Sequence, residues 1–403
     1  MKRNLYAIIV LLLFGFAGWA QDTFFSSGDV YQVYSDVSQD HANKVLAQLE
    51  AYTPIFEDIL HYDRAKLSSP LKVKIKGSAE SYQAYVADYV DSPKDIFLFL
   101  QYTDPVKSEL IGYDPDDGTF ETKLIHHAFI QYLKAFIPNP PLWLQKGLAI
   151  YLEKSYYSSV TDTAEYAMNM EWTKTLKKYL IETPSAGKLS VGTLLSIDVD
   201  TANANIQEFY AQSWGVVHFL LNSDNKRYNR IIWDILDNLQ AEYSREENQS
   251  VAMEKGFGWV TKDAFVKDYT GYVAELKTFA DLVREGIALY SEKSFNDSLS
   301  VFNKAIAIDA NYNVPYYYLG LLHYEMKDYP MAEYYYQESL ERGSDPNLTY
   351  YAMGIAAYSE SSYDRALDYL NLVVEGDPEG YGVKAQELIE KIDSEMTDTT
   401  SGA

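Results

Sequence analysis

The sequence predicts an α+β N-terminal part that runs into a mainly helical lobe, followed by an all-α solenoid of repeated helix pairs. Three observations carry this reading. Apolar and polar residues alternate in several short stretches before residue 114, as they do in half-buried strands. From Thr122 to about Leu276 the apolar spacing is mostly helical. From residue 279 to 380 the sequence repeats with a period of 34 residues.

Residues 1–20, MKRNLYAIIVLLLFGFAGWA, join a basic start (Lys2, Arg3), an apolar run from Ile8 to Phe16 and small residues at Gly18 and Ala20. This is the pattern of an export signal with its cut before Gln21. The run falls short of the roughly 20 residues that span a bilayer, which weighs against an uncleaved anchor. The mature chain is therefore expected to be periplasmic or otherwise exported. VYQVYSDV (Val30 to Val37), LKVKIKG (Leu71 to Gly77) and DIFLFLQY (Asp95 to Tyr102) read as strands, and SELIGYD (Ser108 to Asp114) as a short edge strand. HANKVLAQLEAYTPIFEDIL, between the first two strands, reads as an amphipathic helix.

With 403 residues, 47% of them hydrophobic, the chain is too long for one compact core and suits two or three domains. It has no cysteine, so disulfides, thiolate metal sites and Cys nucleophiles are excluded. The formal charge is -24, and -26 once Lys2 and Arg3 leave with the signal. A chain this acidic, without a dense Lys/Arg run, is a poor partner for nucleic acid or anionic lipid.

The repeated units start at Phe279, Asn313 and Asn347. Each has glycine at its eighth position (Gly286, Gly320, Gly354) and an aromatic at its seventeenth (Phe295, Tyr329, Tyr363). The twentieth is small (Ser298, Ala332, Ala366); so is the twenty-seventh in two units (Ala305, Ser339), with Val373 in the third. The pattern resembles the tetratricopeptide repeat, in which antiparallel helices meet at the small positions and the aromatic fills space between neighbours. Residues 381–393 read as the capping helix of such an array and 394–403 as a disordered tail.

That resemblance implies a concave surface lined by positions 2, 5, 9 and 12 of each first helix. In this chain these are Ala280, Val283, Ile287 and Tyr290; Val314, Tyr317, Leu321 and Tyr324; and Leu348, Tyr351, Ile355 and Tyr358. The lining is apolar and aromatic, without the Lys, Arg and Asn that clamp a carboxylate, and it suits a protein or peptide partner. The alternative is that these rings pack among themselves or hold an internal segment such as the capping helix.

A second resemblance lies in LIHHAFIQYLKAFIPNPPLWLQKGLAIYLE, Leu124 to Glu153. With FYAQSWGVVHFLL (Phe209 to Leu221) and AFVKDYTGYVAEL (Ala264 to Leu276), it is similar to the peptidase-MA-like family of gluzincin-type metallopeptidases. There the first helix carries HExxH and the second a W-x-x-E-G-x-A-x-Y motif, matched here by Trp143, Gly147, Ala149 and Tyr151. The resemblance covers roughly residues 29 to 276 and implies a zincin-like domain over 21–278. Its chemistry does not carry over. His126 takes the first ligand position, but His127 stands at the general base, Ile130 at the second ligand and Lys146 at the carboxylate. Isoleucine offers no lone pair and lysine brings the wrong charge, so no metal, cofactor or peptidase activity is expected. His126 and His127 read instead as a packed and a partly exposed histidine, or as part of some other metal or proton-transfer site. Two functions follow: an exported, non-catalytic scaffold or adaptor, in the style of those serving envelope machines, or a hydrolase of the metallopeptidase class with non-standard ligands.

Overall fold

The computed structural model describes residues 23–90, 93, 95–183 and 187–401. The signal expected over residues 1–20 lies outside them. Two compact units divide the chain, one formed by residues 1–135 with 157–164 and the other by 136–156 with 165–403. The division does not fall at residue 278, and the helical segments after 165 share a unit with the repeats.

The first unit is built on a five-stranded sheet, with strands β1 (Phe24–Ser27), β2 (Tyr31–Ser35), β3 (Leu71–Lys76), β4 (Phe97–Leu100) and β5 (Glu109–Tyr113) in the order β1-β2-β3-β5-β4. The β2–β3 and β3–β5 pairs are parallel, in register at Val33 with Val73 and Val73 with Leu110; the edge pairs are antiparallel. Strand β5 was expected at an edge but lies inside the sheet. Leu110 and Ile111 are both fully buried, and β4 covers its outer side. Burial on both faces is the condition under which a strand reads as a continuous apolar run.

Helix α1 (Gln39–Leu60) is capped by Ser38, whose hydroxyl accepts from the His41 N–H at 3.0 Å. Val45, Leu49, Tyr52, Phe56 and Leu60 fall on one face and are buried. Glu50 on the same helix accepts from the Val30 and Tyr31 N–H groups, both at 2.9 Å, and so fixes the start of β2. Helix α2 (Ala79–Val86) packs on the sheet, and α3 (Phe120–Phe136) meets α1 where Phe129 sits edge-on to Phe56 at 5.4 Å. A short pair, β6 (Tyr156–Ser158) and β7 (Thr163–Glu165), forms a two-stranded sheet.

In the second unit, α4 (Leu142–Leu152) precedes three short helices, α5 (Thr173–Lys177), α6 (Val191–Leu195) and α7 (Val199–Ala204). Then come α8 (Ile206–Asn222), α9 (Lys226–Leu236), α10 (Arg245–Val251) and α11 (Lys262–Glu275). Helix α4 lies directly against α8 at Gly147, where a Cβ would meet the Ser213 carbonyl oxygen and the Val217 methyl. Phe219 on α8 is ringed by Tyr228, Tyr272 and Phe265, with centroids 4.7, 5.1 and 5.7 Å away.

The repeats follow as three helix pairs: α12 (Phe279–Ser291) with α13 (Phe295–Ile308), α14 (Asn313–Glu325) with α15 (Tyr329–Glu341), and α16 (Pro346–Ser359) with α17 (Tyr363–Gly376). Each pair turns through one residue of positive φ at the same position of its unit: Lys293 (61°), Lys327 (63°) and Ser361 (64°). Helix α18 (Tyr381–Ser401) closes the array. It runs well past residue 393, through most of the segment expected to be a disordered tail. Ala385, Ile389 and Ile392 are buried at helical spacing, and Glu395 continues that face into two hydrogen bonds. Among the described residues no helix is long and apolar enough to cross a membrane.

Candidate functional site

The peptidase-like motif positions sit on α3 and α4. In the first unit, His126 is buried and His127 half-buried. His127 Nε2 lies 3.4 Å from Asp95 Oδ2, an oxygen that also receives the Lys123 ammonium at 3.0 Å. Burial works against the Asp95 carboxylate, but the His127 hydrogen bond and charge, with those of Lys123, prevail and hold its pKa well below the usual carboxylate range. The Phe97 ring stacks on His127 at 5.8 Å. Ile130 is buried.

In the second unit, Lys146 holds its ammonium 4.6 Å from the centroid of Tyr210. Trp143 is fully buried. Gln212, of the aromatic-Ala-Gln-Ser stretch, donates to the Leu189 carbonyl at 2.8 Å and to Glu208 at 2.9 Å, which is a structural staple. Among the described residues no three His, Asp or Glu side chains are grouped to hold a metal ion. No local pattern marks Asp95 as the partner of His127, because the two meet only through the fold.

A cavity of about 710 Å³ lies between residues 165–171 and the first repeat. Its walls pair Lys154 with Glu171 at 2.7 Å, the Tyr156 hydroxyl with Glu165 at 2.7 Å, and the Phe279 ring with Tyr312 at 4.9 Å. These groups satisfy one another across the wall.

Of the twelve groove positions, Ala280 and Val314 are exposed and the other ten are half-buried. Val283 packs on Leu282, Val301 and Ala305. Ile287 and Tyr290 pack on Phe302, Leu319 and Leu322. Tyr317, Leu321 and Tyr324 pack on Ala332, Tyr336, Met353 and Ala356. Each ring therefore has one side in the array's core and part of its surface open, which is the amphipathic use that suits tyrosine. Burial pushes the Tyr336 hydroxyl well above its ordinary value, and the phenols of Tyr317, Tyr290 and Tyr324 add to the shift, which places all three around it. The third unit is different. There Tyr351 and Tyr358 meet α18: Tyr381 lies 5.6 Å from Tyr351, and the Tyr358 hydroxyl donates to Glu395 at 2.8 Å. Ile355 is half-buried between them on α16.

Two carboxylates outside the counted positions act electrostatically on these rings. Glu325 raises the Tyr290 and Tyr336 hydroxyls, after burial and, for Tyr336, the neighbouring phenols; Glu387 of α18 does the same to Tyr351 after burial. Glu325 lies one residue beyond the counted positions of its helix, and Glu387 lies on another element, so the repeat pattern alone could not bring them to the rings.

A family model described as "Protein of unknown function (DUF1570)" matches residues 127–237, from the middle of α3 to the end of α9. No curated protein matches the chain. Among solved structures the chain is similar to the first TPR of Spaghetti (RPAP3) bound to the HSP90 peptide SRMEEVD, at 15% identity over 30% of this chain and 94% of that one, with a TM-score of 0.28. It is also similar to the Arabidopsis OM64 TPR domain, at 17% identity over 28% and 95%, with a TM-score of 0.27. Both are tetratricopeptide domains. The C-terminal part of this chain is helical and repeat-like, and its assignment rests on its own period, helix pairs and turns.

Proposed function

We propose that this chain is an exported, non-catalytic adaptor whose repeat array docks a protein partner and whose N-terminal part is a zincin-like domain without its metal site. The observation that carries the docking reading is the recurrence of a half-open tyrosine at the twelfth position of the first two units, Tyr290 and Tyr324, with Tyr317 between them. Half-open aromatic rings on a rigid helical face are the groups from which binding hot spots are built. The non-catalytic reading is supported by Ile130 and Lys146 at positions where the resembled site needs an imidazole and a carboxylate. Charge supports a protein rather than nucleic acid as the ligand. The competing reading, a hydrolase with other ligands, would draw on the Asp95, Lys123 and His127 group.

Two measurements test the proposal. Elemental analysis of the purified chain should find no stoichiometric zinc; near-equimolar zinc with chelator-sensitive peptide cleavage would establish the hydrolase. Capture of a protein from envelope extract should be lost with Tyr290→Ala/Tyr324→Ala and kept with Tyr334→Ala, an exposed ring on α15. Equal capture by the wild type and both variants would remove the groove from consideration.

A further inference from the structure

We propose that the concave face of the array takes a cationic segment of its partner protein, with Lys or Arg side chains laid on the tyrosine faces and against the carboxylates of Glu325 and Glu387. This rests on the docking reading above and gives the partner its chemistry.

Charge is the first argument. Residues 279–401 hold 8 Lys and Arg against 22 Asp and Glu. Several of the few cations are already engaged within the array: Arg342 with Glu338 at 2.9 Å, Arg365 with Glu333 at 2.8 Å, and Arg284 with Asp281 at 3.4 Å. Glu325 and Glu387 are exposed and make no ion pair or hydrogen bond among the described residues. Unpaired carboxylates beside half-buried rings concentrate negative potential on one face, which attracts cations and repels an acidic ligand.

The second argument is that the chain already performs this recognition on itself. Lys391 of α18 holds its ammonium 5.0 Å from the centroid of Tyr358 in the third unit. Tyr358 is the twelfth residue of its unit; Tyr290 and Tyr324 are its counterparts. Among the described residues no cation stands over either of those two rings. The ring face attracts an ammonium or guanidinium through its quadrupole, more strongly where water is partly excluded. Burial pushes the Tyr317 hydroxyl up to about 12, with Tyr381, Tyr318 and Tyr290 adding to the shift, so this ring is neutral at pH 7. The last helix is thus the template for the missing occupant: an amphipathic segment with apolar residues toward the helices and a lysine over the twelfth-position tyrosine, next to the Glu395 carboxylate that accepts from the same ring's hydroxyl.

The test uses the full chain and three fluorescent amphipathic peptides that differ only in carrying lysine, glutamine or glutamate on the polar face. Anisotropy should show binding of the lysine peptide, weaker binding of the glutamine peptide and none of the glutamate peptide. Glu325→Gln/Glu387→Gln should weaken the lysine peptide by about tenfold, and Tyr324→Leu by a similar factor, each with an unchanged melting curve. The control is Glu341→Gln/Glu375→Gln, which removes the same charge from the second helices α15 and α17, at exposed positions. If the control weakens binding as much as the groove variant, the attraction is general and the proposal falls. If the glutamine peptide binds as tightly as the lysine peptide, the cationic partner is wrong while docking in the groove stands. If no peptide binds and the groove variants leave protein capture unchanged, the docking reading falls as well.

Discussion

The hydroxyl of Tyr358 donates to the Glu395 carboxylate at 2.8 Å and fastens the last helix to the third repeat. Tyr363 donates to the other oxygen of the same carboxylate at 3.0 Å. One side chain therefore accepts from both helices of the final pair. Ending the chain at residue 393, or Glu395→Ala in the full chain, should lower the melting temperature by about 2–4 °C. Differential scanning calorimetry measures this, and an unchanged melting curve would mean that the bond contributes nothing in solution.

His218 supplies a second expectation. Its Nδ1 lies 2.7 Å from the Tyr272 hydroxyl, and burial pushes its pKa from 6.5 down to about 4. The unfolded imidazole takes a proton at a pH where the folded one stays neutral. The stability at stake is fully present above about pH 6.5 and is lost as pH falls toward about 4, on the order of 3 kcal/mol at 1.36 kcal/mol per unit. Urea midpoints for wild type and His218→Gln at pH 7 and 4.5 should differ in slope, the variant being flatter. Parallel lines would show that the ring is accessible to solvent.

Asp95 acts in a lower window and in the other unit. Because its folded pKa is depressed by His127 and Lys123, its contribution is present above the unfolded value of about 4 and fades as pH falls through the lowered one. Asp95→Asn should therefore cost stability at pH 6 and much less at pH 2 in the same urea assay. A loss that does not depend on pH would assign the effect to packing rather than charge.

Gly320 and Tyr336 set the closest approach within the second helix pair, since a Cβ at residue 320 would strike that ring. Gly320→Leu should force the pair apart at a cost of about 1–3 kcal/mol or more. The change should also abolish partner capture, because Tyr317 and Tyr324 ride on the same helix. Tyr324→Leu should spare the fold by comparison. Equal melting temperatures for the two variants would contradict this account.

Much of the architecture was legible because burial leaves a period in the sequence. LKVKIK alternates and is a strand, buried at every other residue. Gly286, Gly320 and Gly354 announced the helix pairs. What escaped has particular reasons. FFSS is too short to show alternation, so β1 was not anticipated. SELIGYD is buried on both faces, which hides whether a strand is central or at an edge. The segment after residue 393 is polar and reads as tail, yet Glu395 gives it a tertiary anchor no propensity records. In the candidate site, position counting found the tyrosines, but the carboxylates beside them come from outside the counted positions. Asp95 beside His127 is likewise a product of folding.

In each repeat the contact that the glycine allows is made inside its own unit: Gly286 faces Phe302, Gly320 faces Tyr336 and Gly354 faces Leu370. A copy of one unit therefore carries both halves of its closest fit with it, and a duplicated segment would arrive able to close its own hairpin before meeting a neighbour. Descent by copying needs no matched change elsewhere, and the inner contact is then free to drift from phenylalanine to tyrosine to leucine in each copy separately. The faces between units have no such freedom, for Phe302 also packs on Leu319 and Leu322 of the next unit. The order of the three units is thus inherited as a sequence of fitted joints, while each unit keeps a private lock.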